Sequence, residues 1–257
     1  MSTLRQIRDA LETGQRTLVA SAEPMTENQL VGASYCKDWN IAQVLSHLGS
    51  ASESFRLYLD AGLANADPPG REVIEPIWDR WNAMAPEEQR GQALAATAAF
   101  IEHVDAVPAG QLAAFQMQLF GMDVDAARLL GMRLAESAVH TWDIVVMSDP
   151  SAMLPADAVD DMIDHLGDLA KWSGKADGGP MEVEIVTTDP IRFFRLSVKD
   201  GVSLLPSTSD HATATLHLPS EALVRLAYGR LDPEHTPASV EAEGIDLDAV
   251  RAVFPGF

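Results

Sequence analysis

The chain has 257 residues, 47% of them hydrophobic and 22% charged, with 18 basic against 38 acidic side chains for a formal charge of −20. That composition belongs to a folded protein rather than a disordered one, and so acidic a surface repels nucleic acid and anionic membranes, which are bound chiefly through Lys and Arg. No apolar run approaches the roughly 18–20 residues that cross a bilayer.

The N-terminal stretch MSTLRQIRDALETGQ lacks the apolar run of a signal peptide. The single cysteine, Cys36, forms no internal disulfide, so the expected location is the reducing cytoplasm. One thiol also excludes any zinc site built from several cysteines.

Residues 3–21 carry Leu4, Ile7, Leu11, Leu18 and Val19 at helical spacing. A second helix is expected from Asn40, which forms a capping-box pattern with Gln43. Its apolar stripe runs Val44, Leu48, Ala51, Phe55 and Leu59. VIEPIWDRWNAMAPEE reads as no more than a short helical turn ended by proline. A third helix covers 86–106, from Pro86 at a first-turn position to the VPAG stop. A fourth runs from an Asp123 cap to Met147, and four such helices with moderate loops predict an up-and-down bundle.

SDPSAMLPADA has the Pro, Ser and Asp of a linker, and a fifth helix is expected over 155–173. After GKADGGP the pattern changes. MEVEIVTT, IRFFRLSVKD, VSLLPS and ATATLHL read as strands, with KDG as a hairpin turn. SEALVRLAYG reads as a capped helix with Gly229 just past its end, ASVEAEG as a last strand and DLDAVRAVF as a last helix. The fold class is therefore α plus α+β, a four-helix bundle over 1–150 and a smaller α+β domain over 151–257.

Glu136 and His140, in ESAVHTWDI, fall within about 40° of each other on the fourth helix. Arg133 and Asp143 share their side, while Ala127, Leu130, Leu134, Ala138 and Val145 cluster opposite. Taken alone, this is an amphipathic helix with its polar stripe in water. Leu129 and Met132 argue otherwise, because they share the polar stripe, with Val139 and Ile144 on its flanks. A helix apolar most of the way round is buried, and ionisable groups in it need partners or a metal.

His47, at the margin of the second helix's stripe, would complete two imidazoles and one carboxylate. That set suits Zn²⁺ or a related divalent ion and leaves positions open to water or substrate. A hydrogen-bonded core histidine is the plain alternative for His47. The 89 residues between His47 and Glu136 do not by themselves single out the trio.

CKDWNIAQVLSHL and RLAESAVHTWDI together resemble the paired signature of the mycothiol-dependent maleylpyruvate isomerase family, within the DinB-like four-helix metalloproteins. LVRLAYGR resembles that family's C-terminal segment. The resemblance implies a DinB-like bundle joined to a small α+β domain, metal ligands at His47, Glu136 and His140, and mycothiol as thiol cosubstrate. An open metal site acidifies a bound thiol. The thiolate would add to an activated double bond, as in maleylpyruvate. Rotation and elimination give the trans isomer, whereas retention of the adduct makes the enzyme a thiol S-transferase.

Cys36 is then a bystander packed near the start of the second helix. The resemblance also implies an arginine from the C-terminal domain. Arg230, and after it Arg225, are the candidates to bind a substrate carboxylate, with helix-end charges as the plain alternative. Asp143 would orient a metal ligand, or pair with Arg133 or a surface lysine. Trp39 and Trp142 wall the cavity or pack the core. His103, His165, His211, His217 and His235 stand in no usable pattern, His217 reading as a polar strand position.

Two rival readings stay open at this point. A non-catalytic binding protein, with a sterol-carrier-like C-terminal domain, predicts a fourth protein ligand on the metal and a dry pocket in 180–257. A metal-dependent hydrolase would use the same trio with bound water as nucleophile.

Overall fold

The computed structural model describes residues 2–176, 179–208 and 214–256. His211, and residues 212–213 at the start of the strand expected at ATATLHL, lie outside them. The chain divides into two compact units, Ser2–Ala158 and Val159–Phe257.

The first unit is helical. Its long helices are α1 (Leu4–Ala22), α3 (Ile41–Leu63), α5 (Pro86–Ala106) and α7 (Ala126–Val145), with short α2 (Glu27–Leu30), α4 (Arg71–Asn82) and α6 (Ala109–Ala114) between them. Asn40 caps α3 as expected: its side chain accepts from Gln43 N at 2.8 Å, and Gln43 Oε1 accepts from Asn40 N at 2.9 Å. Such a cap contributes about 1 kcal/mol and fixes where His47 falls along the helix.

α3 packs on α5 and α7, and α1 packs on α7 and α5. Consecutive long helices α1 and α3 therefore lie across the bundle instead of side by side, a correction to the simple up-and-down order. The 18-residue connection 23–40, which includes α2, gives the chain the reach to cross. Leu18, Leu30, Leu45, Leu48, Trp81 and Ile144 form part of one core cluster, all at most 1% exposed. No helix among the described residues is long and apolar enough to cross a membrane.

Two local expectations fail. α4 is a three-turn helix and not a single turn. It continues through Pro76, forgoing one backbone hydrogen bond, because burial of Ile74 and Trp81 outweighs that loss. Residues 116–125 form a hairpin, β1 (Gln116–Leu119) with β2 (Met122–Asp125). Phe120 and Gly121 make its turn at φ 53° and 78°, the positive-φ pair that two-residue hairpins require. The hairpin consumes Asp123, so the cap of α7 is Asp125, whose side chain accepts from Arg128 N at 2.7 Å.

The second unit is α+β. The expected fifth helix is interrupted: α8 (Ala156–Met162) leads through a 3-10 turn into α9 (Leu166–Ser173). A five-stranded sheet follows in the order β5-β4-β3-β6-β7. Its strands are β3 (Met181–Thr188), β4 (Phe193–Val198), β5 (Val202–Pro206), β6 (Thr215–Pro219) and β7 (Glu241–Glu243). β3 pairs antiparallel with β4 and parallel with β6, while β4–β5 and β6–β7 are antiparallel.

α9 packs on β5, and α10 (Ser220–Ala227) packs on β6 and β3. Gly229 follows α10 at φ 73°, the left-handed position that ends a helix without strain at a Cβ. α11 (Leu247–Val253) closes the described chain. His217 is exposed on β6, as a polar strand position should be.

Candidate metal centre

α7 is buried around most of its girth. Leu129, Leu130, Leu134, Ala138, Val139, Trp142 and Ile144 are all at most 4% exposed. The stripe that carried Glu136 and His140 is thus no solvated face. Arg133 and Asp143, its other members, have no exposed surface.

α3 and α7 bring His47, Glu136 and His140 together, with one potential ligand atom from each within 4.8 Å of the others. His47 Nε2 lies 2.7 Å from Glu136 Oε2, and His140 Nε2 lies 3.7 Å from that oxygen. The two imidazoles meet edge to face, centroids 4.6 Å apart. Side-chain exposures of 32%, 38% and 14% for His47, Glu136 and His140 leave the cluster open on one side. Two imidazoles and a carboxylate so converged fit a divalent ion, and among the described residues no fourth donor joins them.

The electrostatics keep these donors in the form a metal takes. Burial alone would raise the Glu136 carboxyl, but the hydrogen bond from His47 and the charges of His140, His47 and Arg133 hold it at about 2. Burial lowers His140 below its ordinary 6.5, and the hydrogen bond to Asp143 only partly offsets this. At neutral pH the pair is therefore carboxylate and neutral imidazole.

Asp143 sits directly behind His140. Its Oδ2 accepts from His140 Nδ1 at 2.8 Å and from the Cys36 thiol at 3.0 Å. A proton on Nδ1 leaves the Nε2 lone pair facing Glu136 and His47, the usual orientation of a metal-ligating histidine backed by a carboxylate.

Cys36 lies closer to the cluster than its sequence position suggested, with Sγ 3.9 Å from His140 Nδ1. Cys36, His140 and Asp143 form a second group with metal-capable atoms. Its carboxylate is wholly buried, however, and His140 Nδ1 is engaged as a donor. The trio is the open set. Cys36→Ser is accordingly expected to leave metal content per chain unchanged, as measured by mass spectrometry of the purified protein.

The segment 31–40 holds Cys36 and Trp39 in place: Tyr35 N donates to Asp143 O at 3.0 Å, and Ser34 Oγ donates to Trp39 O at 2.7 Å. Trp39 is 37% exposed, and its ring centroid lies 5.2 Å from that of His47 and 6.1 Å from that of His140. It walls the cluster. Trp142 packs the core instead, edge-on to Tyr35 with its Nε1 donating to Ala152 O.

Sequence reasoning missed the approach of Cys36 to Asp143, since partners 107 residues apart leave no local pattern. In the second unit, Arg225 is buried in a pair with Glu221 and also donates to Arg230 O and His235 O. Arg230 is buried too, its Nη1 donating to Tyr228 O at 2.6 Å. His103 pairs with Asp60 and His235 with Asp232.

A helical bundle thus presents an open His–Glu–His cluster on two facing helices, and an α+β unit follows it in the chain. The sequence pattern of the mycothiol maleylpyruvate isomerase N-terminal domain matches residues 11–145, and that of the same family's C-terminal domain matches 153–255. The chain belongs to the mycothiol maleylpyruvate isomerase family.

The crystal structure of the mycothiol-dependent maleylpyruvate isomerase superposes with a TM-score of 0.67 at 12% identity, covering 94% of this chain and 93% of that one. A histidine-to-alanine mutant of that enzyme gives the same values. YfiT from Bacillus subtilis, a probable metal-dependent hydrolase with an unusual four-helix bundle topology, aligns at TM-score 0.46 and 17% identity over 58% of this chain and 89% of that one. Among curated proteins no match to the chain is found.

Proposed function

We propose that this chain is a metal-dependent enzyme that uses mycothiol to act on a small electrophile such as maleylpyruvate, as an isomerase or a thiol S-transferase. The observation that carries the reading is the convergence of His47, Glu136 and His140 on one open point between α3 and α7. These three residues would hold a divalent ion, zinc being the ion their donor atoms suit best. When bound, such an ion lowers the pKa of a thiol and presents it as a thiolate near neutral pH.

The chain's own residues do the rest of the positioning. Asp143 holds the proton on His140 Nδ1 and so fixes the direction of Nε2. Glu136 stays ionised in this setting. Trp39 covers the imidazoles on one side and limits water there. Arg230, whose Nη1 donates to Tyr228 O, is the C-terminal unit's candidate for a substrate carboxylate, and Arg225, paired with Glu221, comes after it. A cytoplasmic compartment, the expectation from a single cysteine, suits chemistry that consumes a reduced thiol.

The absence of a fourth donor among the described residues favours an open site over a closed structural one. The test is metal content of protein purified without chelator, beside His47→Ala, Glu136→Ala and His140→Ala, followed by mycothiol-dependent turnover of maleylpyruvate. Metal in the native chain, lost from each variant with helicity kept, supports the reading. A native chain that takes up no divalent ion overturns it.

A further inference from the structure

Arg133 stands one turn before Glu136 on α7 and has no exposed surface. Its Nη2 donates to Ser52 Oγ at 2.7 Å and to Leu48 O at 3.3 Å, both on α3. The guanidinium carbon lies 6.0 Å from the centre of the Phe100 ring. Nε and Nη1 are buried and find no acceptor among the described residues. Among the described residues no salt bridge compensates this cation, although a buried charge without a paired partner is costly. A residue needed only to fill this space would be Leu or Met. The carboxylate whose charge acts on it is Glu136, and although burial lowers its pKa to about 10, it stays cationic at neutral pH.

The charge balance of the cluster gives that cation a use. A divalent ion on the cluster would take Glu136 as a carboxylate, and Asp143 Oδ2 accepts from both His140 and Cys36 behind it. These acidic side chains offset part of the ion's charge, and a cation placed one turn before Glu136 on α7 and bonded to Leu48 O, next to His47, adds a positive charge beside it. We propose that Arg133 is the fixed charge that makes this cluster anion-selective, favouring a thiolate, and a carboxylate-bearing electrophile, over neutral ligands. Arg133 itself has no exposed surface, so its charge is screened less than one on the surface would be. Arg133 touches no ligand in this arrangement, so it is a specificity-setting residue acting through the field it imposes. The inference rests on the metal reading above.

The test loads the full-length protein with Co²⁺, whose sulfur-to-metal charge-transfer band reports thiolate binding, and titrates it with 2-mercaptoethanol at fixed pH. Arg133→Gln and Arg133→Met should take up Co²⁺ at least as tightly as the native chain, since a neighbouring positive charge is gone. They should bind the thiolate at least about tenfold more weakly, with binding beginning at higher pH. Arg133→Lys, which keeps the charge, should stay within about threefold of native.

Native-like thiolate affinity in Arg133→Gln or Arg133→Met overturns the proposal and leaves Arg133 a packing residue. Should neither neutral variant fold, Arg133→Lys decides: near-native thiolate affinity supports the proposal, and a loss beyond about tenfold overturns it. A native chain that takes up no Co²⁺ overturns the metal reading and this one with it. Co²⁺ uptake with thiolate affinity indifferent to the charge at 133 overturns this one alone.

Discussion

Asp143→Asn is expected to bind a divalent metal about 10- to 100-fold more weakly than the native chain, with its helicity intact. In the native protein one oxygen, Oδ2, accepts from both His140 Nδ1 and Cys36 Sγ. An amide at that position supplies a neutral acceptor or, turned over, a donor facing a donor. His140 is then free to move its proton to Nε2, the nitrogen that would ligate. Competition against a chelator of known zinc affinity measures the change. An unchanged affinity would remove Asp143 from any positioning role.

The same residue controls a pH effect whose sign can be worked out. His140 lies below its ordinary 6.5 in the folded chain, chiefly through burial, with Asp143 opposing the shift. The unfolded chain therefore takes up this proton first as pH falls. Stability of the metal-free protein is complete above about 6.5 and declines as pH drops from there through the folded value. Asp143→Asn removes the opposing influence, so the decline should continue to lower pH than in the native chain. Urea denaturation midpoints taken between about pH 7.5 and 5 follow it. A flat profile for the native chain would mean that His140 titrates alike in both states.

Much of this arrangement was legible because it is local. Asn40 and Gln43 announce the start of α3 by a capping pattern whose two hydrogen bonds both form. Glu136 and His140 sit at a spacing that any helix places on one face, and Leu129 and Met132 on that face signalled burial. What stayed hidden depends on tertiary contact. The alternation of Gln116 to Leu119 is only four residues long, and its turn, Phe120–Gly121, lacks the Asn–Gly or Asp–Gly pair that marks most such hairpins. Missing the hairpin moved the α7 cap by two residues.

Pro76 looked like a stop because the burial of Trp81 that carries α4 past it cannot be seen in sequence. Cys36 looked idle because its partner is on another element. Arg133 shares the stripe that Leu129 and Met132 marked as buried, but only the packing of α3 and Phe100 around it shows a cation with two donors that find no acceptor among the described residues.

Gly49→Ala is expected to destabilise the first unit by about 1–3 kcal/mol, although Ala is favoured over Gly inside a helix by about 1 kcal/mol. A Cβ built on Gly49 would lie 2.2 Å from Trp81 Cη2 and 2.3 Å from Cζ3. Those are ring atoms of a side chain only 1% exposed. Trp81 has little freedom to yield: its Nε1 donates to Glu53 Oε1 at 3.0 Å, and its carbonyl accepts from Gln89 Nε2 at 3.1 Å. One of these bonds, or the α3–α4 spacing, has to give, and the steric cost exceeds the gain in helix propensity.

Trp81→Leu alone leaves a cavity and should cost a few kcal/mol. Combined with Gly49→Ala, part of that volume is refilled by the new methyl group, so the double variant should lose less than the two single losses together. Urea denaturation of the four proteins gives the coupling. Strict additivity would mean that residue 49 and the indole do not meet, and that the α3–α4 contact beside His47 is looser than the structure places it.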